Sequence, residues 1–114
     1  MKIIVTLISS FVIGLMVSVT PALAQDATPE RGQQVFTANK CSICHAVAGK
    51  GNAKGNLDSV GAKLSAAEIR QWIVDAPAMA AKAKAERKPA MKSFAQLPPA
   101  DISALVAYLS TLKK

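Results

Sequence analysis

The sequence has few large apolar side chains once its first 24 residues are set aside. Residues 25–114 contain 42 hydrophobic residues, but 19 of these are alanine and two are cysteine, which leaves 21 larger side chains in 90 residues. The chain has the length of one domain, and a domain of this size is marginal by its ratio of surface to volume. The scarcity excludes a large enzyme, a multidomain protein and a membrane protein with several spans. It also indicates that a disulfide, a metal or a cofactor completes the core.

The long apolar stretch of the chain lies at its N-terminus. Lys2 precedes the 17 mostly apolar residues 3–19, and Pro21-Ala22-Leu23-Ala24 has the small-x-small pattern of a signal-peptidase site. We therefore predict a cleaved signal peptide over residues 1–24 and one exported domain over residues 25–114. The alternative is an uncleaved membrane anchor, because 17 residues are near the lower limit for spanning a bilayer.

Helical signals dominate residues 25–114, and no sustained two-residue alternation predicts a long strand. Thr28-Pro29 predicts the N-cap and first residue of a helix. This helix should run to about Asn39, which can adopt a left-handed conformation at the C-terminal end. Gly32 inside it costs ~1 kcal/mol relative to alanine, which indicates that another backbone comes close there. Residues 46–63, rich in glycine, lysine, asparagine and alanine, are predicted to form a loop.

Two more helices are predicted further along the chain. A capping box, Ser65-Ala66-Ala67-Glu68, begins a helix that runs to about Asp75, and Pro77 should end or bend it. Residues 78–88 suit an exposed helical turn or two. The final helix has apolar residues at helical spacing and two lysines in its last turn, namely Ile102, Leu105, Val106, Leu109 and Leu112, then Lys113 and Lys114. The prediction is a small all-α fold.

Both cysteines and the single histidine fall in five consecutive residues, Cys41-Ser42-Ile43-Cys44-His45. Cys-x-x-Cys-His is the pattern of covalent haem c attachment. Two thiols three positions apart on one turn can form thioethers with two vinyl groups of one porphyrin. The next residue then lies beneath the ring, where its imidazole can bind iron. We predict that Cys41 and Cys44 attach one haem c and that His45 is an axial ligand.

Two other chemistries use similar residues. A thioredoxin-like disulfide between Cys41 and Cys44 normally accompanies a βαβ pattern, which this sequence lacks. A structural zinc site needs four ligands, commonly cysteine and histidine, and this chain offers three with no second cluster. Haem c is therefore favoured over both.

The chain resembles the class I cytochromes c, and most closely their short bacterial periplasmic monohaem members. Besides the haem motif, the resemblance rests on Gly32 and Phe36 near the N-terminus and on Leu105, Tyr108 and Leu109 near the C-terminus, and it covers residues 28–114. It implies about three to five helices wrapped around one haem. It also implies that the first and last helices cross, with a glycine at the close approach and an aromatic residue packed across it.

The resemblance implies a methionine ligand downstream of the haem motif. Met91, in the segment 88–94, has the matching position and is the predicted second axial ligand. Methionine opposite histidine raises the haem potential and favours electron transfer. Met79 is the alternative, although its alanine-rich surroundings suit a residue that fills a gap against haem or core. A third alternative is that neither methionine binds iron.

The chain departs from the family pattern at two positions. Gly55 stands where many members have a proline whose carbonyl accepts the proton of the haem-binding histidine, so the carbonyl can still orient His45 in a less rigid loop. Lys92 follows Met91 where a proline is common. The resemblance also lets Trp72 approach a haem propionate through its indole N–H, the alternative being a partly buried packing residue.

Basic residues outnumber acidic ones by 13 to 7 in residues 25–114, a formal charge of +6 that two haem propionates would reduce to about +4. The lysines nearest the haem motif and Met91 are Lys40, Lys50, Lys54, Lys88 and Lys92. In the family this zone surrounds the exposed haem edge, so these lysines should steer an acidic redox partner. The alternative is that they only aid solubility. An exported protein does not meet DNA, and no nucleic-acid partner is expected.

These features predict a non-enzymatic, single-electron carrier that passes electrons between redox proteins in the periplasm. One alternative is a haem subunit docked permanently in a sulfite- or alcohol-oxidising complex, because such a subunit needs the same haem site. Another is a small haem enzyme with an open iron position, against which Met91 argues.

Overall fold

The computed structural model describes residues 27–114, and the predicted signal peptide, residues 1–24, lies outside them. The described part of the chain holds five α-helices: α1 Pro29–Ala38, α2 Val60–Lys63, α3 Ala66–Val74, α4 Ala76–Ala83 and α5 Pro99–Ser110. Two very short strands, β1 Ala46–Val47 and β2 Lys50–Gly51, pair antiparallel. Single 3₁₀ turns lie at Cys41–Ile43 and Ala53–Gly55. The predicted small all-α fold is confirmed.

Helices α1 and α5 form the main helix pair. The Thr28 side chain caps α1 by accepting a hydrogen bond from the Arg31 N–H at 3.2 Å, as predicted. Gly32 is buried against the backbone of α5. Phe36 packs edge-on against Tyr108, with ring centroids 5.8 Å apart and an interplanar angle of 71°, a geometry that aromatic rings prefer. The close approach and the aromatic contact implied by the family resemblance are both present.

Helix α3 completes the core. Its capping box is formed in full, since Ser65 Oγ accepts from the Glu68 N–H at 3.1 Å and a Glu68 carboxylate oxygen accepts from the Ser65 N–H at 3.2 Å. The buried larger side chains come from three helices: Val35 and Phe36 of α1, Ile69 and Ile73 of α3, and Ile102, Leu105, Val106 and Leu109 of α5. Within residues 27–114 no helix combines the length and hydropathy that a membrane span requires.

The segment predicted as a loop, residues 46–63, contains β1, β2 and α2. The two strands have two residues each and α2 has four, so none is long enough to give a periodic pattern. Tertiary hydrogen bonds hold the segment instead. The Leu57 N–H donates to the Ala46 carbonyl at 2.9 Å, and the Gly61 N–H donates to the Leu112 carbonyl at 2.7 Å.

Helix α1 ends at Ala38 with Asn39 as its C-cap, close to the predicted end, but the conformation of Asn39 and the end of α5 differ from the predictions. Asn39 has φ −91° and is not left-handed; Lys40, with φ 55°, adopts that conformation one residue later. Helix α5 ends at Ser110, so the two terminal lysines lie beyond its last turn. The chain leaves the helix because its last residues bond to another segment, where the Lys114 N–H donates to the Asp58 carbonyl at 3.0 Å.

Pro77 neither ends nor bends α3. That helix already ends at Val74, and the chain turns at Asp75, which has φ −145° and ψ 57°. Pro77 then lies in the first turn of α4, where its missing N–H has no helical partner to lose. Helix α4 covers residues 78–83 of the predicted exposed helical stretch, 78–88, and the one buried residue of α4 is Ala76.

Candidate haem site

The haem motif occupies a single tight turn directly after α1. Left-handed Lys40 redirects the chain, and the Ile43 N–H donates to its carbonyl at 3.1 Å. The Cys44 and His45 N–H groups both donate to the Cys41 carbonyl, at 3.1 and 2.9 Å. Both thiols are free and half-buried, and burial raises the pKa of the Cys41 thiol. The turn therefore presents two thiols and an imidazole from one short, hydrogen-bonded segment.

The imidazole of His45 is oriented by the backbone of Gly55. Nδ1 of His45 lies 3.0 Å from the Gly55 carbonyl oxygen, and because a carbonyl only accepts, Nδ1 carries the proton. Burial lowers the pKa of His45; the hydrogen bond to Gly55 opposes this shift, and the nearby charge of Arg87 adds to it. The ring is thus held neutral with Nε2 free, the arrangement that metal-binding histidines use. The expected role of the Gly55 carbonyl is present in the structure.

Asn52 ties the loop that carries Gly55 to the haem motif. Its N–H donates to the carbonyls of Ser42 and His45, at 3.1 and 3.2 Å, and its side-chain amide donates to the Ile43 carbonyl at 3.2 Å. Its own carbonyl accepts from the Gly55 N–H at 3.0 Å. Sequence reasoning did not single out Asn52, because an asparagine in a glycine-rich segment has no distinctive local pattern.

A large open cleft begins one residue beyond Gly55. Its volume is about 1000 Å³, at the upper end of the roughly 300–1,000 Å³ typical of ligand sites. One part of its apolar lining comes from the loop and the region of α2, with Leu57, Val60 and Leu64. The other part comes from α3 and α4, with Trp72, Met79 and Ala83. These side chains suit a large flat apolar cofactor.

The structure brings some of the predicted site residues to this cleft and not others. Trp72 and Met79 line it. The haem motif and Met91 do not, although the cleft adjoins the loop that holds His45. Met91 is half-buried, as is Met79. The choice of Met91 as the second ligand therefore stays a prediction, and so does the propionate contact of Trp72.

The donor set fits covalent haem better than a thioredoxin-like disulfide or a structural zinc site. The described residues contain no βαβ unit, and their cysteines are unpaired thiols. Within residues 27–114 no group of three His, Cys, Asp or Glu side chains could hold a metal ion. Two free thiols on one turn and a neutral imidazole with an oriented ring are the groups that haem c attachment uses.

The fold and site together define a small helical domain that carries covalent haem. The chain belongs to the cytochrome c family, because the family model described as cytochrome c matches residues 29–113. No curated protein and no solved structure matches it. Family membership confirms the predicted resemblance and covalent haem c, and it identifies an electron-transfer protein whose partners are redox proteins.

Proposed function

We propose that this protein is a periplasmic single-electron carrier whose haem iron is held by His45 and Met91. The observation that carries the proposal is the 3.0 Å contact between Nδ1 of His45 and the Gly55 carbonyl, which leaves Nε2 for iron. When bound, haem supplies one-electron chemistry between its ferrous and ferric states. Cys41 and Cys44, which are both half-buried, would fix it to the chain.

The segment that contains Met91 is held against the end of α3. The Phe94 N–H donates to the Ile73 carbonyl at 2.8 Å, and the Ser93 hydroxyl donates to the Val74 carbonyl at 2.5 Å. Met91 is half-buried whereas Lys92 next to it is exposed. Met91 therefore lies in a segment with fixed anchors and is less exposed than its neighbour, which supports Met91 as the ligand.

The visible and near-infrared spectra of the oxidised holoprotein test this ligand. A methionine–iron bond gives a charge-transfer band that should be present in the wild type and in Met79→Ala, and absent in Met91→Ala. Met79 is the matched control because it is also half-buried. Persistence of the band in Met91→Ala, or its loss in Met79→Ala alone, would overturn the assignment. A high-spin spectrum of the wild type would favour an open iron position.

An exposed basic surface supports transient contact with acidic redox partners. The five lysines near the haem motif and Met91 are all exposed: Lys40, Lys50, Lys54, Lys88 and Lys92. Ile43, inside the motif, is 65% exposed and is the large apolar side chain that stands out on the described surface. Charge steers encounter and falls off with ionic strength, while a small apolar contact allows rapid dissociation.

Electron-transfer rates with an acidic partner, measured against ionic strength, test this surface. The bimolecular rate should fall as salt rises, and Lys54→Gln should lower it more than Lys113→Gln, which removes an equal charge at the chain terminus. Equal rates for the two variants, or a rate independent of salt, would contradict steering by these lysines.

N-terminal sequencing of the protein from a periplasmic fraction tests export, with Gln25 as the expected first residue.

A further inference from the structure

Arg87 occupies the space beside His45 that a side chain at position 55 would otherwise fill. A Cβ atom built on Gly55 would lie 2.1 Å from Nη1 of Arg87, 2.1 Å from the Cys44 carbonyl oxygen and 2.9 Å from Nδ1 of His45. The other terminal nitrogen of Arg87 donates to the Cys44 carbonyl at 2.5 Å. The absence of a side chain at Gly55 thus makes room for a guanidinium next to the predicted iron ligand.

This contact joins two distant parts of the chain. Arg87 and Cys44 are 43 residues apart, and Arg87 lies in the segment between α4 and α5, four residues before Met91. The guanidinium therefore fastens the segment that leads to Met91 onto the carbonyl between the second cysteine and His45.

The guanidinium has no carboxylate partner among the described residues of the chain. Within residues 27–114 the ion pair that forms is between Arg31 and Asp101, and no carboxylate lies within 4.0 Å of Arg87. The charge lies close to the imidazole, because the space beside Gly55 that Nη1 of Arg87 occupies also adjoins Nδ1 of His45. Arginine remains protonated at any pH the protein meets, so the charge is permanent.

We propose that Arg87 is a positioning residue that holds the His45 side of the haem site together and raises the reduction potential of the protein. The inference rests on the proposed function, because it takes His45 to be an iron ligand. The ferric site carries one more positive charge than the ferrous site, and a fixed cation beside the ligand disfavours the ferric form. Arg87 is exposed, so water screens this effect and keeps it modest.

Spectroelectrochemical titration of the holoprotein tests the proposal. Arg87→Gln should shift the reduction equilibrium about threefold toward the oxidised form, which is about 30 mV at 59 mV per tenfold for a one-electron couple. Arg87→Lys keeps the charge and should recover most of the potential. Lys113→Gln removes the same net charge far from the motif in sequence. It should change the reduction potential by less than a third of the shift expected for Arg87→Gln.

The same variants separate this proposal from the assignment of Met91. If Arg87→Gln keeps the methionine–iron band and lowers the potential more than Lys113→Gln, both proposals hold. If it keeps the band and matches Lys113→Gln, the role of Arg87 is wrong and the ligand set stands. If the wild type lacks the band, the Met91 assignment fails, and the difference in potential between the two variants still decides the role of Arg87. An Arg87→Lys potential as low as that of Arg87→Gln would overturn the role of the charge.

Discussion

Gly32 of α1 and Ala104 of α5 touch through their backbones. A Cβ atom on Gly32 would lie 2.0 Å from the Ala104 carbonyl oxygen and 2.5 Å from Cβ of Tyr108. Neither atom is the free end of a flexible side chain, so neither can move without moving α5. The helix-interior glycine, unfavourable for α1 alone, is therefore what allows the two helices to pack at this distance.

Gly32→Ala should destabilise the holoprotein by about 1–2 kcal/mol. Alanine gains ~1 kcal/mol in helix propensity over glycine, but overpacking between two backbones costs more than this gain. Chemical unfolding followed by circular dichroism gives the free energy of unfolding. Gln33→Ala, at the exposed neighbouring position of α1, is the matched control and should change stability by less than about 0.5 kcal/mol. A Gly32→Ala protein as stable as the wild type would show that the helices can separate without cost.

Asp101→Asn should lower the free energy of unfolding by about 0.5–1 kcal/mol. One carboxylate oxygen of Asp101 accepts from Nε and Nη2 of Arg31, at 3.3 and 3.1 Å, and so links α5 to α1. The same carboxylate lies in the first turn of α5, where negative charge is favourable. A double-mutant cycle with Arg31→Met separates the two effects, and zero coupling energy would mean that the ion pair contributes nothing.

The elements that sequence reasoning placed correctly are those with local signals. The Thr28 cap and the Ser65–Glu68 capping box each fix a helix start within four residues. The spacing of apolar residues in α5 predicts which of its faces is buried. The elements it missed depend on distant partners. Helix α2 is held by the C-terminal segment through the bond from Gly61 to Leu112, and the same contacts remove the terminal lysines from α5.

In the candidate site, too, the residues with local sequence signals could be predicted and those held by distant contacts could not. Cys41, Cys44 and His45 are adjacent in sequence, so their common turn could be predicted from spacing alone. The oxygen that orients His45 was predicted from the family pattern at Gly55. Arg87 could not be predicted, because the contact spans 43 residues and a lone arginine in a charged segment has no pattern that distinguishes it from a solvated one.

Stability should fall more steeply above pH ~10 in the wild type than in Tyr108→Phe. Burial raises the pKa of Tyr108 above its ordinary value, and the charge of Asp58 adds to this. Above the ordinary pKa the unfolded chain loses the phenolic proton while the folded protein retains it, so rising pH favours unfolding until the folded-state pKa is passed. Phenylalanine keeps the ring that packs on Phe36 and removes the titration. Unfolding free energies of both proteins across this range measure the difference, and parallel curves would contradict it.

The chain without haem should be largely unfolded. Eight larger apolar side chains are buried in the described residues, a small core for a domain of this size. Leu57, Val60, Leu64, Trp72 and Met79 line an open cleft and are only half-buried, so the apolar surface they would bury against a cofactor is not buried by the chain itself. Cys41→Ser/Cys44→Ser, which cannot attach haem, should show low helix content by circular dichroism and no cooperative thermal transition, whereas the holoprotein should show both helix and transition. A cooperative transition in the double variant would mean that the helices pack stably without the cofactor and that haem is not required to complete the core.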